Sequence, residues 1–265
     1  MLLEITQAHR FEKGLSSGRT GPALVTAETA SGTDIEIVVK FMASFDMGAT
    51  SAAAEALAAM LAIDLGLPVP QPFLVEITAE FAESISEAKY RAKAQASVGM
   101  NFGTRKLPPG YYPWPRGKAL PEGARQTAVE VLAFDTLIVN SDRRPQNPNF
   151  LANGREIFIF DHELALFTRG LIGWKPPWEP LAVQFPILLN PDSVHVFASE
   201  FKGKEVSLDR LQGAFEAVTP QRLAEYRSSI PTNWLNEDVD QMLRYIGQLR
   251  SNLPRAIQNI KEALL

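Results

Sequence analysis

The chain has 265 residues, 46% hydrophobic and 21% charged, and its 26 basic against 30 acidic side chains leave a net charge of −4. That composition is of a globular protein with room for one or two domains, not of a disordered chain. Without a basic surplus, no direct nucleic-acid binding is expected, and without cysteine there are no disulfides, thiolate metal sites or cysteine nucleophile.

His9, His162 and His195 are too widely spaced to suggest a histidine-rich metal site. The N-terminal segment lacks the basic start, apolar core and cleavage site of a secretory signal, and no stretch is apolar for long enough to span a membrane. A cytoplasmic protein with no membrane partner is expected.

In chain order, residues 1–45 read as strands and turns, with β-prone runs at 23–28 and 35–41 around a polar turn. A glycine-spaced stretch, Gly14-x3-Gly18-x2-Gly21, precedes them. Residues 51–65 read as a helix capped by Ser51 and ended by Gly66 and Pro68. A strand follows at 73–77, then one amphipathic helix over 82–95. Beyond about residue 105 comes a loop rich in proline and aromatic residues, 108–121, and then a part dominated by helix. Its first helix, 124–139, is apolar nearly all round, as a buried helix is. A final helical stretch runs from about 237 to 264. Tyr111-Tyr-Pro-Trp114 and Trp174-Lys-Pro-Pro-Trp178 read either as a recognition surface or as loops pinned to the core.

The chemistry concentrates in 134–163. Asn140-x-Asp142-Arg143 leads to Asn147, and Asp161-His162-Glu163 follows the run Ile157-Phe-Ile-Phe. Asn153-Gly154 is the residue pair of a two-residue hairpin turn. With that pair at its centre, Phe150 faces Ile157 and Asn147 faces Phe160, which sets Asn147 beside Asp161. An amide and a carboxylate there offer hard oxygen ligands suited to Mg²⁺ or Mn²⁺. Asp142, on the adjoining loop, can orient a hydroxyl and accept its proton. Together these suffice for phosphoryl transfer, where catalysis is mostly positioning and charge neutralisation. Singly, Asp142 and Asn147 also read as turn caps and Asp161 as a strand end. Their convergence through one turn favours the chemical reading. Asp135, inside the apolar helix, reads as a hydrogen-bonded anchor, because a buried carboxylate needs partners.

This constellation resembles the HipA-like kinases, a branch of the protein-kinase-like superfamily distantly similar to phosphatidylinositol kinases. The resemblance extends to Val39-Lys40-Phe41, to Glu55 on the next helix, to 65–70 and to Met100-Asn-Phe-Gly-Thr-Arg105. It implies an α+β, two-lobed protein-kinase-like fold. A small β-rich N-lobe with one key helix (1–105) would bind nucleotide, and a larger, mainly helical C-lobe (106–265) would carry catalysis and the substrate. It further implies Asp142 as catalytic base, Asn147 and Asp161 as holders of the metal, Lys40 on the ATP phosphates with Glu55 pairing it, and Arg143 bracing the loop. ATP, Mg²⁺ (or Mn²⁺), a Ser/Thr protein substrate and an antitoxin-like partner follow from the same resemblance.

The glycine stretch departs from both the kinase and the P-loop patterns. Gly14, Ser16, Ser17 and Gly18 read either as a phosphate-binding loop or as a surface turn. Serines in this loop are autophosphorylated in some HipA-like kinases, which extends that expectation to Ser16 or Ser17. Glu163 offers a further metal oxygen or a partner for Arg143 or Arg144. Two other classes stay open: a nucleotide-binding or protein-interaction module of the same fold with weak or no catalysis, and a nucleotidyl transferase or hydrolase using the same acidic cluster.

Overall fold

A computed structural model describes residues 3–15, 20–115, 118–169, 173–180, 182 and 194–265. Five strands, β1 (Glu4–Gly14), β2 (Ala23–Thr29), β3 (Asp34–Lys40), β4 (Pro72–Ile77) and β5 (Gly99–Arg105), close into a barrel in the order β1-β2-β3-β5-β4. Neighbours run antiparallel except β1 and β4, which pair in parallel with Ile5 opposite Leu74. The long β1, not singled out by the sequence pattern, is what closes the barrel.

The barrel interior is filled by Ala8, Val25, Ile37, Val39, Phe73 and Val75. Two short helices, α2 (Ala79–Ser84) and α3 (Ala88–Gln95), contribute Phe81 and Tyr90 to the same cluster. These replace the single helix expected over 82–95. Ile85 is drawn into the barrel core and adopts an extended backbone, so the helix breaks there.

Helix α1 (Ala49–Asp64) starts two residues before the expected 51. Its N-cap is Gly48, at φ 52°, and Ser51 lies inside the first turn as a buried hydroxyl that caps nothing. The C-terminus is as the sequence indicates. Gly66 at φ 66° donates its N–H to Ile63 O and Leu67 donates to Ala62 O, the paired bonds of a Schellman cap. Residues 51–62 are buried on all sides. Although it precedes residue 105, α1 packs into a second, larger core.

That core is built with α4 (Arg125–Leu137), α6 (Asp209–Glu216), α7 (Pro220–Ser229), α8 (Glu237–Ser251) and α9 (Leu253–Leu264). A four-residue helix, α5 (Ala198–Phe201), joins it. The expected C-terminal helix is two helices. Pro254 lies in the first turn of α9, where its missing N–H is harmless but where it cannot continue α8. The helical part also carries a small antiparallel sheet of β6 (Tyr112–Pro113), β7 (Phe150–Ala152) and β8 (Ile157–Ile159). The tryptophan loop is pinned to the core. Trp174 and Trp178 lie 5.8 and 6.1 Å from the Tyr245 ring, and Asn259 donates to Pro177 O and Glu179 O. Among the described residues, no helix is long and apolar enough to cross a membrane.

Candidate active site

Lys40 is the last residue of β3, paired with Phe102 of β5. The chain leaving it is fastened by Asn101, whose Oδ1 accepts from Met42 N at 2.7 Å, and by Ser97, whose Oγ accepts from Ala43 N at 3.0 Å. So held, Lys40 directs its ammonium at three carboxylates. Nζ lies 3.0 Å from Glu55 Oε2, 2.5 Å from Asp161 Oδ1 and 3.3 Å from Glu163 Oε2, with the Phe45 ring 5.7 Å away. Burial alone pushes the ammonium's pKa down, but the three carboxylates outweigh it and hold the pKa above the usual lysine value.

Glu55 does more than pair with lysine. Its Oε1 accepts the Asp161 N–H at 3.1 Å and its Oε2 the His162 N–H at 2.7 Å. Burial raises its pKa, but Lys40 and His162 overcome that and bring it to about 2. One glutamate on α1 therefore fixes both the lysine and the turn carrying Asp161. That turn is strained, with Asp161 at φ 65°. Val139 at 59°, Asn149 at 48° and Leu166 at 67° are also left-handed, so the four such non-glycine residues among those described all fall between 139 and 166. Glu163, two residues beyond Asp161, pairs with Lys40. Its pKa is raised, by burial first and by the neighbouring Asp161 and Glu55 charges, with Lys40 opposing.

The hairpin forms, but its register differs from the one the sequence predicts. Phe150 faces Ile159 and Ala152 faces Ile157. The turn is centred one residue later, on Gly154-Arg155. Asn153 stands before it, its Oδ1 accepting from Arg155 N at 3.0 Å and Glu156 N at 2.9 Å, and Gly154 supplies the positive φ of 91°. The partner of every residue moves by two, so each side chain keeps its face while its opposite changes. Asn149, not Asn147, now lies against Phe160, whose N–H it accepts at 3.1 Å. Asn147 instead closes a tight loop back to Arg144 and donates Nδ2 to Asp142 Oδ2 at 2.6 Å. Asn149 Nδ2 donates to the same oxygen at 3.1 Å.

Beneath this loop lies a buried polar hub that the sequence only partly exposes. Asp135 on α4 accepts from Arg143 Nε at 2.5 Å, from Asn140 Nδ2 at 2.8 Å and from His195 Nε2 at 2.9 Å. Arg143, wholly buried, also donates Nη1 to Asn149 O and Phe160 O, and Nη2 meets His162 Nε2 at 2.9 Å. Burial works against the Asp135 charge, but Arg143 and His195 hold its pKa well below the carboxylate range. Asp135 is the anchor expected of it. Arg143 braces the loop from below, joining α4, the Asn149 turn, the end of β8 and the residue after Asp161.

At the mouth of the barrel, α3 grips both ends of the glycine stretch. Tyr90 Oη donates to Leu15 O at 3.2 Å, Lys93 Nζ donates to Thr20 O at 2.6 Å, and a side chain at Gly14 would strike the Tyr90 ring. Ser16, Ser17 and Gly18 lie outside the described residues.

Glu55, Asp161 and Glu163 each bring a carboxylate oxygen within 4.8 Å of the others. An all-oxygen set of carboxylate donors suits a hard divalent cation. The residues that pattern reading missed, Asn149, Asn101 and His195, act through backbone bonds or distant partners. Of these, Asn149 alone lies in the polar run 140–163 that the sequence singles out.

Two of three comparisons relate the chain to known proteins. A family model described as HipA-like kinase matches residues 15–170, more than half of the chain. No curated protein matches it. Among solved structures, the Helicobacter pylori proinflammatory kinase CtkA superposes at TM-score 0.52 with 13% identity, covering 99% of each chain. That is a likeness of fold. The open conformation of CtTel1 aligns at TM-score 0.39 and 13% identity, over 97% of this chain and 11% of that one. With the family pattern covering the lysine strand, the Glu55 helix, the Asp142 loop and the Asp161 turn, the chain belongs to the HipA-like kinases.

Proposed function

We propose that the chain is an ATP- and Mg²⁺-dependent kinase that transfers the γ-phosphoryl group to a hydroxyl, namely Ser or Thr of a protein. The observation carrying this reading is that Lys40, Glu55 and Asp161 meet in one bonded cluster while Asp142 is held on a separate rigid loop. In this reading residues 1–105 form a nucleotide-binding lobe and 106–265 a catalytic lobe, with ATP between them. Lys40 exchanges carboxylate partners for phosphate oxygens, and Glu55 keeps it extended. The glycine stretch, with Gly14, Ser16, Ser17 and Gly18, covers the phosphates. Asp161 and Glu163, with the amide oxygen of Asn147, would hold Mg²⁺, which neutralises charge on the β- and γ-phosphates when bound. Asp142 orients the acceptor hydroxyl and takes its proton. An antitoxin-like regulatory partner, and autophosphorylation of Ser16 or Ser17, belong to the same reading.

The test is Asp142→Asn with ATP labelled at the α or the γ position. Transfer of γ label to protein should fall about 10²–10⁴-fold, the usual contribution of a general base, while Mg·ATP binding persists. Unchanged transfer removes Asp142 as base, and transfer of α label would make the protein a nucleotidyl transferase.

A further inference from the structure

Arg144 sits on the carboxylate that the proposed reaction needs. Its Nη2 donates to Asp142 Oδ1 at 3.0 Å, whereas Asn147 and Asn149 both donate to Oδ2. The two oxygens are therefore engaged differently. Neutral amides inside the loop fix Oδ2 and the plane of the carboxylate. Oδ1 meets, among the described residues, the guanidinium. A general base works within about 2.6–3.2 Å of the group whose proton it takes. Arg144 holds that distance on Oδ1, and an approaching hydroxyl must compete with the guanidinium for the oxygen.

The adjoining arginine shows what a fixed guanidinium looks like. Arg143 is fully buried, with donors to Asp135, Asn149, Phe160 and His162. The Arg144 side chain is 39% exposed, and its Nε is enclosed without a hydrogen-bond partner. A donor left unmet weakens this placement of the side chain relative to alternatives. Its backbone, by contrast, is locked. The N–H donates to Asp142 O at 2.9 Å and Asn147 O at 3.1 Å, and the carbonyl accepts from Asn147 N at 2.9 Å. The guanidinium thus stands at the end of a side chain whose backbone is held at both N–H and C=O.

Resting on the kinase reading above, we infer that Arg144 is a gate on the base: before the acceptor arrives it fills the hydroxyl's place on Asp142 Oδ1, and the acceptor enters by displacing it. The gate's use is to keep water off the base. Were water admitted, its oxygen would bond to the γ-phosphorus and its proton would pass to Asp142 Oδ1. The bond from the γ-phosphorus to ADP would break with its electron pair going to the β-phosphate oxygen, leaving ADP and inorganic phosphate. An acceptor hydroxyl undergoes the same bond changes through its own oxygen.

The experiment measures phosphate release from Mg·ATP without added protein acceptor. Arg144→Met keeps an unbranched stem and removes every donor, and release should rise several-fold over the wild type. Arg144→Lys, which keeps a shorter cation, should fall between them. Adding Asp142→Asn to the Arg144→Met protein should return release to baseline, showing that it runs through the base. Mg·ADP affinity should be equal in the wild type and Arg144→Met, which separates gating from a damaged nucleotide site. Release that is unchanged or lower in Arg144→Met overturns the gate and leaves the kinase reading standing, and so does a rise that survives in the double variant. If neither wild type nor variant turns over ATP, by hydrolysis or on itself, the kinase reading fails and the gate with it.

Discussion

His195 shows how far a residue's role can lie from its sequence neighbourhood. It stands sixty positions after Asp135, yet its Nε2 reaches that carboxylate at 2.9 Å. Its tautomer is fixed, because Phe197 N–H donates to Nδ1 and the ring proton must sit on Nε2, facing Asp135. Burial pushes its pKa down, Asp135 opposes, and the nearby Arg143 charge adds to the fall. A histidine whose folded pKa is depressed is kept neutral by folding. Its contribution to stability is present above the unfolded pKa of about 6.5 and is lost as pH falls through that value toward the folded one. Urea unfolding of the wild type should therefore weaken from about pH 7 to pH 5, and His195→Gln should flatten that slope while lowering the plateau. Parallel slopes in the two proteins would show that His195 does not set the acid limit. The need of Asp135 for a partner is legible in its apolar helix. Which partner answers is not, since Arg143 lies nearby in sequence but His195 arrives by the folding of a distant segment.

At the scale of elements, what could be read depended on whether the signal was local. Helix α1 ends where Gly66 and Pro68 say it must, because a C-cap is written in a few adjacent residues. The hairpin existed where Asn153-Gly154 announced it, but its register turned on whether Asn153 used its side chain on the two following N–H groups. That choice moved Asn149 into the position expected of Asn147. Barrel closure by β1 was also hidden, since a parallel pairing across about 70 residues leaves no periodic mark. Gly103 records the closure indirectly. It sits on β5 where a Cβ would come within 2.6 Å of an Ile37 methyl and 2.8 Å of a Val75 methyl. Gly103→Ala should overpack the barrel and cost about 1–3 kcal/mol. A denaturation midpoint unchanged from the wild type would mean that the barrel interior is looser than its packing shows.

For the whole molecule, Lys40 is where the barrel and the helical core are tied. It leaves β3, whereas its partners come from α1 and from the turn after β8, and the buried chain continues through His162 to Arg143 and Asp135. Removing the ammonium therefore does more than delete a contact. Lys40→Met takes away the ammonium that lies against Glu55, Asp161 and Glu163, whose oxygens stand within 4.8 Å of one another. Like charges so close and partly buried repel, and breaking a buried pair from one side costs about 3–5 kcal/mol. Melting temperature should fall accordingly in chelator. A divalent cation that binds the folded cluster and not the unfolded chain restores stability by mass action. In the wild type Mg²⁺ must compete with Lys40 for those oxygens, whereas in Lys40→Met it does not. Millimolar Mg²⁺ should therefore raise the melting temperature more in Lys40→Met than in the wild type. Glu163→Gln in the Lys40→Met background should shrink that gain, because one ligand is lost and one repulsion with it. Equal Mg²⁺ shifts in wild type and Lys40→Met would mean that the three carboxylates serve only to hold the lysine, and that any metal enters with the nucleotide alone.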